Sequence, residues 1–170
     1  MPITIAQLNS LSREEFVRVI GPVFEHSPWI ADTTWPQQPF VDFKHLHSAL
    51  NRTVAEASQE SQLKLIRAHP DLVGRAALAG TLTPQSTSEQ AGAGLDKLQP
   101  DEIARFQKLN HDYQQKFGFP FVICARLNKK EAILNGFNLR LTNSRESEIQ
   151  KALEEIGKIA DFRLRDLIHG

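Results

Sequence analysis

The sequence predicts an all-α protein, a single-domain compact helical bundle with one long polar loop and one short extended segment. Apolar residues recur at steps of three and four in several stretches, and most of these stretches carry capping residues, glycine or proline at their ends. Only the apolar run near 119–127 has the composition of a strand, and one strand cannot form a sheet. A chain of 170 residues suits one domain, which we place at residues 1–170.

The first half of the chain contains three predicted helices and one irregular segment. Ser12 and Glu15 fit a capping box before the first apolar stripe. The segment 27–40 has three prolines, two tryptophans and no periodicity, which predicts a packed loop. Helices are expected again from about Asp42 and over 61–69, where a proline follows the last residue.

The second half begins with a polar stretch and ends with a long helix. Residues 80–100 are rich in Thr, Ser, Gln, Gly and Ala, which predicts a functional or disordered loop. Pro100 and the glycine after residue 117 mark the two ends of a well-defined helix. The run 119–127 is either a short strand or an extended buried segment. A final helix is expected from Asn143 toward Ile168.

Charge and cysteine content exclude several classes of protein. Twenty basic residues balance twenty acidic ones, which argues against nucleic acid or an anionic membrane as partner. Cys124 is the single cysteine. A signal peptide would show a basic start followed by a long apolar run, and the sequence has no such pattern, so we expect a cytoplasmic protein. His45 and His47 have the spacing of a metal pair, but no third ligand follows at a suitable distance, so no metal is expected.

His69 is the best acid–base candidate in the sequence. It comes at the predicted end of a helix, before Pro70, where the helix dipole favours a positive charge. Since an unperturbed histidine has a pKa of about 6.5, this side chain is suited to holding and releasing a proton near neutrality. The alternative, a helix-terminal histidine bonded to a carbonyl, remains open from the residues alone.

Two further charged residues have both a structural and a functional interpretation. Arg163 lies on the apolar stripe of the last helix, where it pairs with an internal acid, reaches water, or binds a ligand. Glu89 follows Ser86 by three residues, which is the spacing of a capping box for a short helix through Gln90 and Ala91. Its second oxygen would remain available to a polar ligand.

Four segments of the chain match a known enzyme family in the same order. They are Ala68-His69-Pro70-Asp71-Leu72, Ser86-Thr87-Ser88-Glu89-Gln90, Phe117-Gly118-Phe119-Pro120-Phe121-Val122-Ile123 and Phe162-Arg163-Leu164-Arg165-Asp166. Together they resemble the OHCU decarboxylase family, which acts on 2-oxo-4-hydroxy-4-carboxy-5-ureidoimidazoline in urate degradation. Four ordered segments are far more specific than the tripeptide His-Pro-Asp alone.

The resemblance implies an all-helical, homodimeric carboxy-lyase that releases carbon dioxide and delivers (S)-allantoin. It implies that His69 is the proton donor and that Arg163 completes the site. Our hypothesis is that Glu89 orients His69 or binds the ureido group and that Arg163 holds an anionic or carbonyl oxygen of the substrate. Since the substrate's own ring imine can accept the electron pair, no cofactor is expected. The substrate-binding residues that it implies are Pro70, Ser86, Thr87, Ser88, Glu89, Gln90, Phe121, Val122, Ile123, Cys124 and Ala125.

A binding module is the rival interpretation. A co-chaperone J-domain also displays His-Pro-Asp after a basic helix, as the stretch 64–71 does here. A J-domain places a basic segment just after the tripeptide, however, whereas here Leu72-Val73-Gly74-Arg75 leads into the polar loop. A three-residue match is a weak motif, so the enzyme is the preferred prediction.

Overall fold

The computed structural model describes residues 2–169, and most of them are helical. The helices of the first half are α1 (Ile5–Asn9), α2 (Arg13–Ile20), α3 (Trp29–Thr34), α4 (Phe43–Glu56) and α5 (Gln59–Ala68). Those of the second half are α6 (Arg75–Ala79), α7 (Pro84–Gly92), α8 (Pro100–Phe117), α9 (Lys130–Arg140) and α10 (Arg145–Leu167). The two-residue strands β1 (Ile3–Thr4) and β2 (Ile168–His169) pair in parallel. The all-α prediction is confirmed.

The chain forms two compact units. One consists of the residues up to Ala68 together with those from Gly157 onward, and the other is His69–Ile156. The expectation of one domain over residues 1–170 stays a prediction beside this division. Among residues 2–169, no helix is both long and apolar enough to cross a membrane.

The unit that holds both chain ends is built from short helices around a buried apolar core. Phe16 of α2 is fully buried and stacks on Phe40, with ring centroids 5.9 Å apart. The capping box predicted for α2 is present, because the Ser12 side chain accepts from the Glu15 amide and the Glu15 side chain accepts from the Ser12 amide. Ile3 of β1 lies opposite Ile168 of β2, so the pairing ties the two ends of the chain together.

The other unit has an aromatic core between α8 and α9. Tyr113 of α8 packs edge-on against Phe121, and Phe121 stacks on Phe137 of α9 with ring centroids 3.8 Å apart. Such aromatic contacts add about 0.5–1.5 kcal/mol each beyond the area that they bury. The core therefore fixes Phe121, at the start of the extended segment, against two helices.

The structure changes two predictions about irregular segments and decides between the two alternatives left open for a third. The segment 27–40 is not wholly a loop, because α3 and a 3-10 turn at Trp35–Gln37 occupy it. The hydroxyls of Thr34 and Thr53 lie 2.6 Å apart in a buried contact, so tertiary packing stabilises a helix too short for a periodic signal. The polar stretch 80–100 contains α7. The run 119–127 is extended without strand pairing and closes in a 3-10 turn at Ala125–Leu127.

Candidate active site

His69 stands at the helix end that the sequence predicts. Helix α5 ends at Ala68, and His69 is only 8 % exposed. The segment after Pro70 is anchored to α8, since the Asn110 side chain donates to the Leu72 carbonyl at 2.8 Å. A buried imidazole at the start of an anchored segment has few orientations available to it, which suits directed proton transfer.

A tight turn at 71–74 follows His69 and Pro70. The Gly74 amide donates to the Asp71 carbonyl at 3.3 Å, and Val73 has a left-handed φ of 54°. The side chain of Gln90 holds both ends of the turn: Oε1 accepts from the Val73 amide at 3.1 Å and Nε2 donates to the Asp71 carbonyl at 3.4 Å. A left-handed valine costs free energy, so these bonds are needed to keep the turn in place.

Helix α7 presents three of the predicted site residues on one buried face. Ser86, Glu89 and Gln90 are each less than 10 % exposed, whereas Thr87 and Ser88 are exposed. The N-cap of α7 is Thr83, whose hydroxyl accepts from the Ser86 amide at 3.2 Å. The capping-box interpretation of Ser86 and Glu89 is therefore wrong, because both residues lie inside the helix.

The carboxylate of Glu89 lies near an arginine that the sequence analysis did not single out. Arg126 Nε is 3.8 Å from Glu89 Oε2, and the two side chains are 28 % and 10 % exposed. Arg126 directly follows the predicted substrate segment Phe121–Ala125, and that position was the only sequence signal for it. The pairing keeps an anionic group inside the unit at a lower desolvation cost than an isolated carboxylate would have.

The predicted substrate segment 121–125 is extended and largely buried. Phe121, Val122, Cys124 and Ala125 are buried, and Ile123 is half-buried. Burial raises the pKa of the Cys124 thiol, which favours the neutral thiol over a nucleophilic thiolate and agrees with a packing role. Within residues 2–169, neither the N–H nor the C=O of Ile123 has a hydrogen-bond partner.

Arg163 belongs to the unit that holds the chain ends. It is 3 % exposed on α10, and its Nη1 lies 3.0 Å from Glu25 Oε1. The same nitrogen also reaches the carbonyls of Pro22 and Val23, at 3.4 and 3.5 Å. Of the alternatives left open above, the structure supports an internal acid as partner of this arginine, since a buried guanidinium needs a counter-charge.

A buried histidine and a buried glutamate in one helical unit are the kinds of side chain that acid–base enzymes use. In the described part of the chain, no group of three His, Cys, Asp or Glu side chains is placed to hold a metal ion.

The chain belongs to the OHCU decarboxylase family, whose model matches residues 9–165. It is 43 % identical over 165 residues to the 2-oxo-4-hydroxy-4-carboxy-5-ureidoimidazoline decarboxylase of Halalkalicoccus jeotgali, covering 97 % of this chain and 92 % of that one. The enzyme of the same name from Amia calva is 43 % identical over 162 residues, with 95 % and 93 % covered.

The fold has a counterpart among solved structures as well. The crystal structure of an (S)-allantoin synthase superimposes with a TM-score of 0.78 at 28 % identity, covering 98 % of this chain. This chain spans about half, 54 %, of that chain's length. No comparison supports a J-domain, so the co-chaperone interpretation is set aside.

Proposed function

We propose that this protein decarboxylates 2-oxo-4-hydroxy-4-carboxy-5-ureidoimidazoline to (S)-allantoin. The observation that carries the proposal is the burial of His69, Glu89 and Ser86, which lie in segments that match the family. An imidazole, a carboxylate and a hydroxyl buried in one compact unit are the side chains that general acid–base catalysis uses.

The reaction needs one bond broken and one proton delivered. The bond between the ring carbon and the carboxylate breaks, carbon dioxide leaves, and the electron pair passes through the adjacent carbon to the imine nitrogen, which takes the proton of the 4-hydroxyl. The resulting enolate becomes the carbonyl of allantoin when the adjacent carbon is protonated. His69 then donates a proton to one face of the ring, and that choice of face makes the allantoin optically active. A positioned proton donor of this kind contributes about a hundred- to ten-thousandfold in rate.

The roles of the other residues follow from what each group can offer. Glu89 orients His69 or accepts from the ureido group, and Arg126 lies close enough to limit how far its carboxylate can turn. The unpaired peptide groups of Ile123 present one donor and one acceptor, which matches the amide edge of a ureide or imidazoline. Gln90 acts by holding the turn after His69, since both ends of its amide are engaged there.

The expected contact of Arg163 with an anionic or carbonyl oxygen of the substrate stays a prediction from the family. Within its own unit, the Arg163 guanidinium is paired with Glu25, which neutralises part of its charge. Partial neutralisation suits such a contact, because binding the substrate carboxylate too strongly would stabilise the ground state and slow the loss of carbon dioxide. Substrate contacts by Pro70, Thr87 and Ser88 stay predictions from the family, as do the homodimer and the cytoplasmic location.

The proposal is tested by generating the substrate in situ from urate and following optically active allantoin by circular dichroism. We expect the wild-type protein to accelerate its formation well beyond the spontaneous rate. His69→Asn should lower kcat by about a hundredfold or more while (S)-allantoin still binds, since only proton donation is removed. His111→Asn changes an exposed histidine of the same unit and is the matched control.

A wild-type protein that does not exceed the spontaneous rate would rule out the proposed activity. If His69→Asn and His111→Asn had the same kcat, His69 would not be the proton donor.

A further inference from the structure

A fully buried carboxylate lies behind the extended segment and has a partner for each oxygen. Glu148 of α10 is 0 % exposed; its Oε1 accepts from Arg140 Nε at 2.7 Å and from the Tyr113 hydroxyl at 2.5 Å. Its Oε2 accepts from the Asn143 side chain at 2.9 Å. A buried ion pair is weak evidence for stability, because apolar residues of similar volume often do as well. The network therefore calls for an explanation other than stability.

Arg140 connects this network to the extended segment. Its Nη1 donates to the Val122 carbonyl at 2.6 Å, and its guanidinium lies 4.3 Å from the centroid of the Phe121 ring. Glu148 fixes the guanidinium through Nε, so the direction of the Nη1 hydrogen bond is set by a side chain that is itself immobilised.

A second charged side chain holds the segment two residues further on. The Cys124 amide donates to Glu155 Oε1 at 3.1 Å, and Glu155 is 3 % exposed on the same helix as Glu148. These two hydrogen bonds, to the Val122 carbonyl and from the Cys124 amide, lie on either side of Ile123. The N–H and C=O of Ile123 itself have no hydrogen-bond partner among residues 2–169. An extended segment outside a sheet has no ladder to fix its direction, so side chains must do so.

We propose that Arg140 and Glu155 are positioning residues that orient the N–H and C=O of Ile123 toward the substrate. This inference rests on the proposed function, in which those groups bind the amide edge of the ligand. Arg140 fixes the peptide before Ile123 and Glu155 fixes the peptide after it, so neither can rotate without breaking a charge-assisted hydrogen bond. Glu148 acts through Arg140.

The test compares two arginines that make similar contacts. Arg145 also donates to a backbone carbonyl, that of Phe117 at 3.1 Å, and lies 5.6 Å from the centroid of the Phe119 ring, but neither residue belongs to 121–125. Lysine keeps the charge but cannot hold Glu148 and Val122 in fixed directions at once. We expect Arg140→Lys to raise KM and the Kd for (S)-allantoin about tenfold or more, with a smaller change in kcat, and Arg145→Lys to leave all three unchanged.

Amide hydrogen exchange gives a readout that does not depend on the substrate. Exchange at 121–125 should accelerate in Arg140→Lys and stay at the wild-type rate in Arg145→Lys. Should Arg140→Lys fail to fold, Glu155→Met and Glu155→Gln replace it: methionine removes the acceptor for the Cys124 amide, whereas glutamine keeps one and should lose less affinity.

The outcomes separate this inference from the proposed function. A wild-type protein that is inactive on the substrate refutes the proposed function. The exchange rates at 121–125 then show, without any substrate, whether Arg140 and Glu155 hold the extended segment in place. Equal KM, Kd and exchange in Arg140→Lys and Arg145→Lys, or equal losses in Glu155→Met and Glu155→Gln, would overturn the inference. A lower Tm alone, with ligand affinity and exchange at 121–125 unchanged, would do so as well, since it would show a purely structural role.

Discussion

Gly74 closes the turn that follows His69 and Pro70, and it has no room for a side chain. A Cβ atom there would lie 2.6 Å from the Cβ of Asp71 and 3.2 Å from its carbonyl oxygen. The backbone conformation of Gly74, with φ −84°, is open to any residue, so space alone demands glycine. Since carbon atoms pack at about 3.5–4.0 Å, Gly74→Ala forces a displacement of about 1 Å within the turn.

The displacement should reduce both stability and activity. Overpacking of this size costs about 1–3 kcal/mol. For a chain of this length, each kcal/mol lowers Tm by about 2–4 °C. The Gln90 side chain bonds to Asp71 and Val73 in the same turn, so the shift disturbs the anchoring of the segment that begins with His69. A misplacement of about 1 Å at a catalytic group can cost about a hundredfold in kcat/KM.

The measurements are thermal unfolding by circular dichroism and kcat/KM for allantoin formation. Gly92→Ala is the matched control, because a Cβ at Gly92, the last residue of α7, would meet no atom within 4 Å. We expect Gly92→Ala to keep the kcat/KM of the wild type and to keep or slightly raise its Tm, since alanine favours a helix over glycine. If Gly74→Ala has the Tm and kcat/KM of Gly92→Ala, the turn is not sterically constrained and the reasoning fails.

Two further substitutions test burial and packing in the same unit. Burial raises the pKa of the Asp71 carboxyl above 3.8, so the charged form of this side chain destabilises the folded state. Asp71→Asn should therefore raise Tm at pH 7, and this gain should disappear below pH 3.8, where the carboxyl is protonated. An equal gain in Tm at both pH values would contradict this. Gly136→Ala in α9 should add up to about 1 kcal/mol of helix stability, because alanine favours a helix over glycine. There is room for its Cβ, which would lie at ordinary distances of 3.4 and 3.5 Å from Ile123 and Phe121. A fall in Tm would contradict this packing.

Elements with strong local signals were predicted closely. Helix α8 runs from Pro100 to Phe117, as proline at its start and glycine after its end indicate. The capping box at Ser12 likewise forms as predicted. These features depend on residues within one turn of each other, so the order of the residues is enough to specify them.

Elements that depend on distant partners were missed or misread. Helix α9 was not predicted, since few of its residues are buried and its apolar face is narrow. The region of helix α7 was predicted as a loop containing a short helix capped by Ser86, although Thr83 and Pro84 are a good N-cap and first helical residue. In that prediction, the polar composition of residues 80–100 was given more weight than the local N-cap signal.

The candidate site also has features that the sequence predicts and features that only the structure shows. The sequence by itself determined the helix ends, the family, and the candidates His69, Glu89 and Arg163, because ordered motifs and periodicity are properties of the chain. Only the tertiary structure decided the partner of each buried charged side chain: Arg163 with Glu25, Glu89 with Arg126, and Arg140 with the Val122 carbonyl. Such pairs join residues far apart in the chain or on different elements, and their partners are selected by packing and by the cost of burying an unpaired charge, neither of which leaves a local pattern.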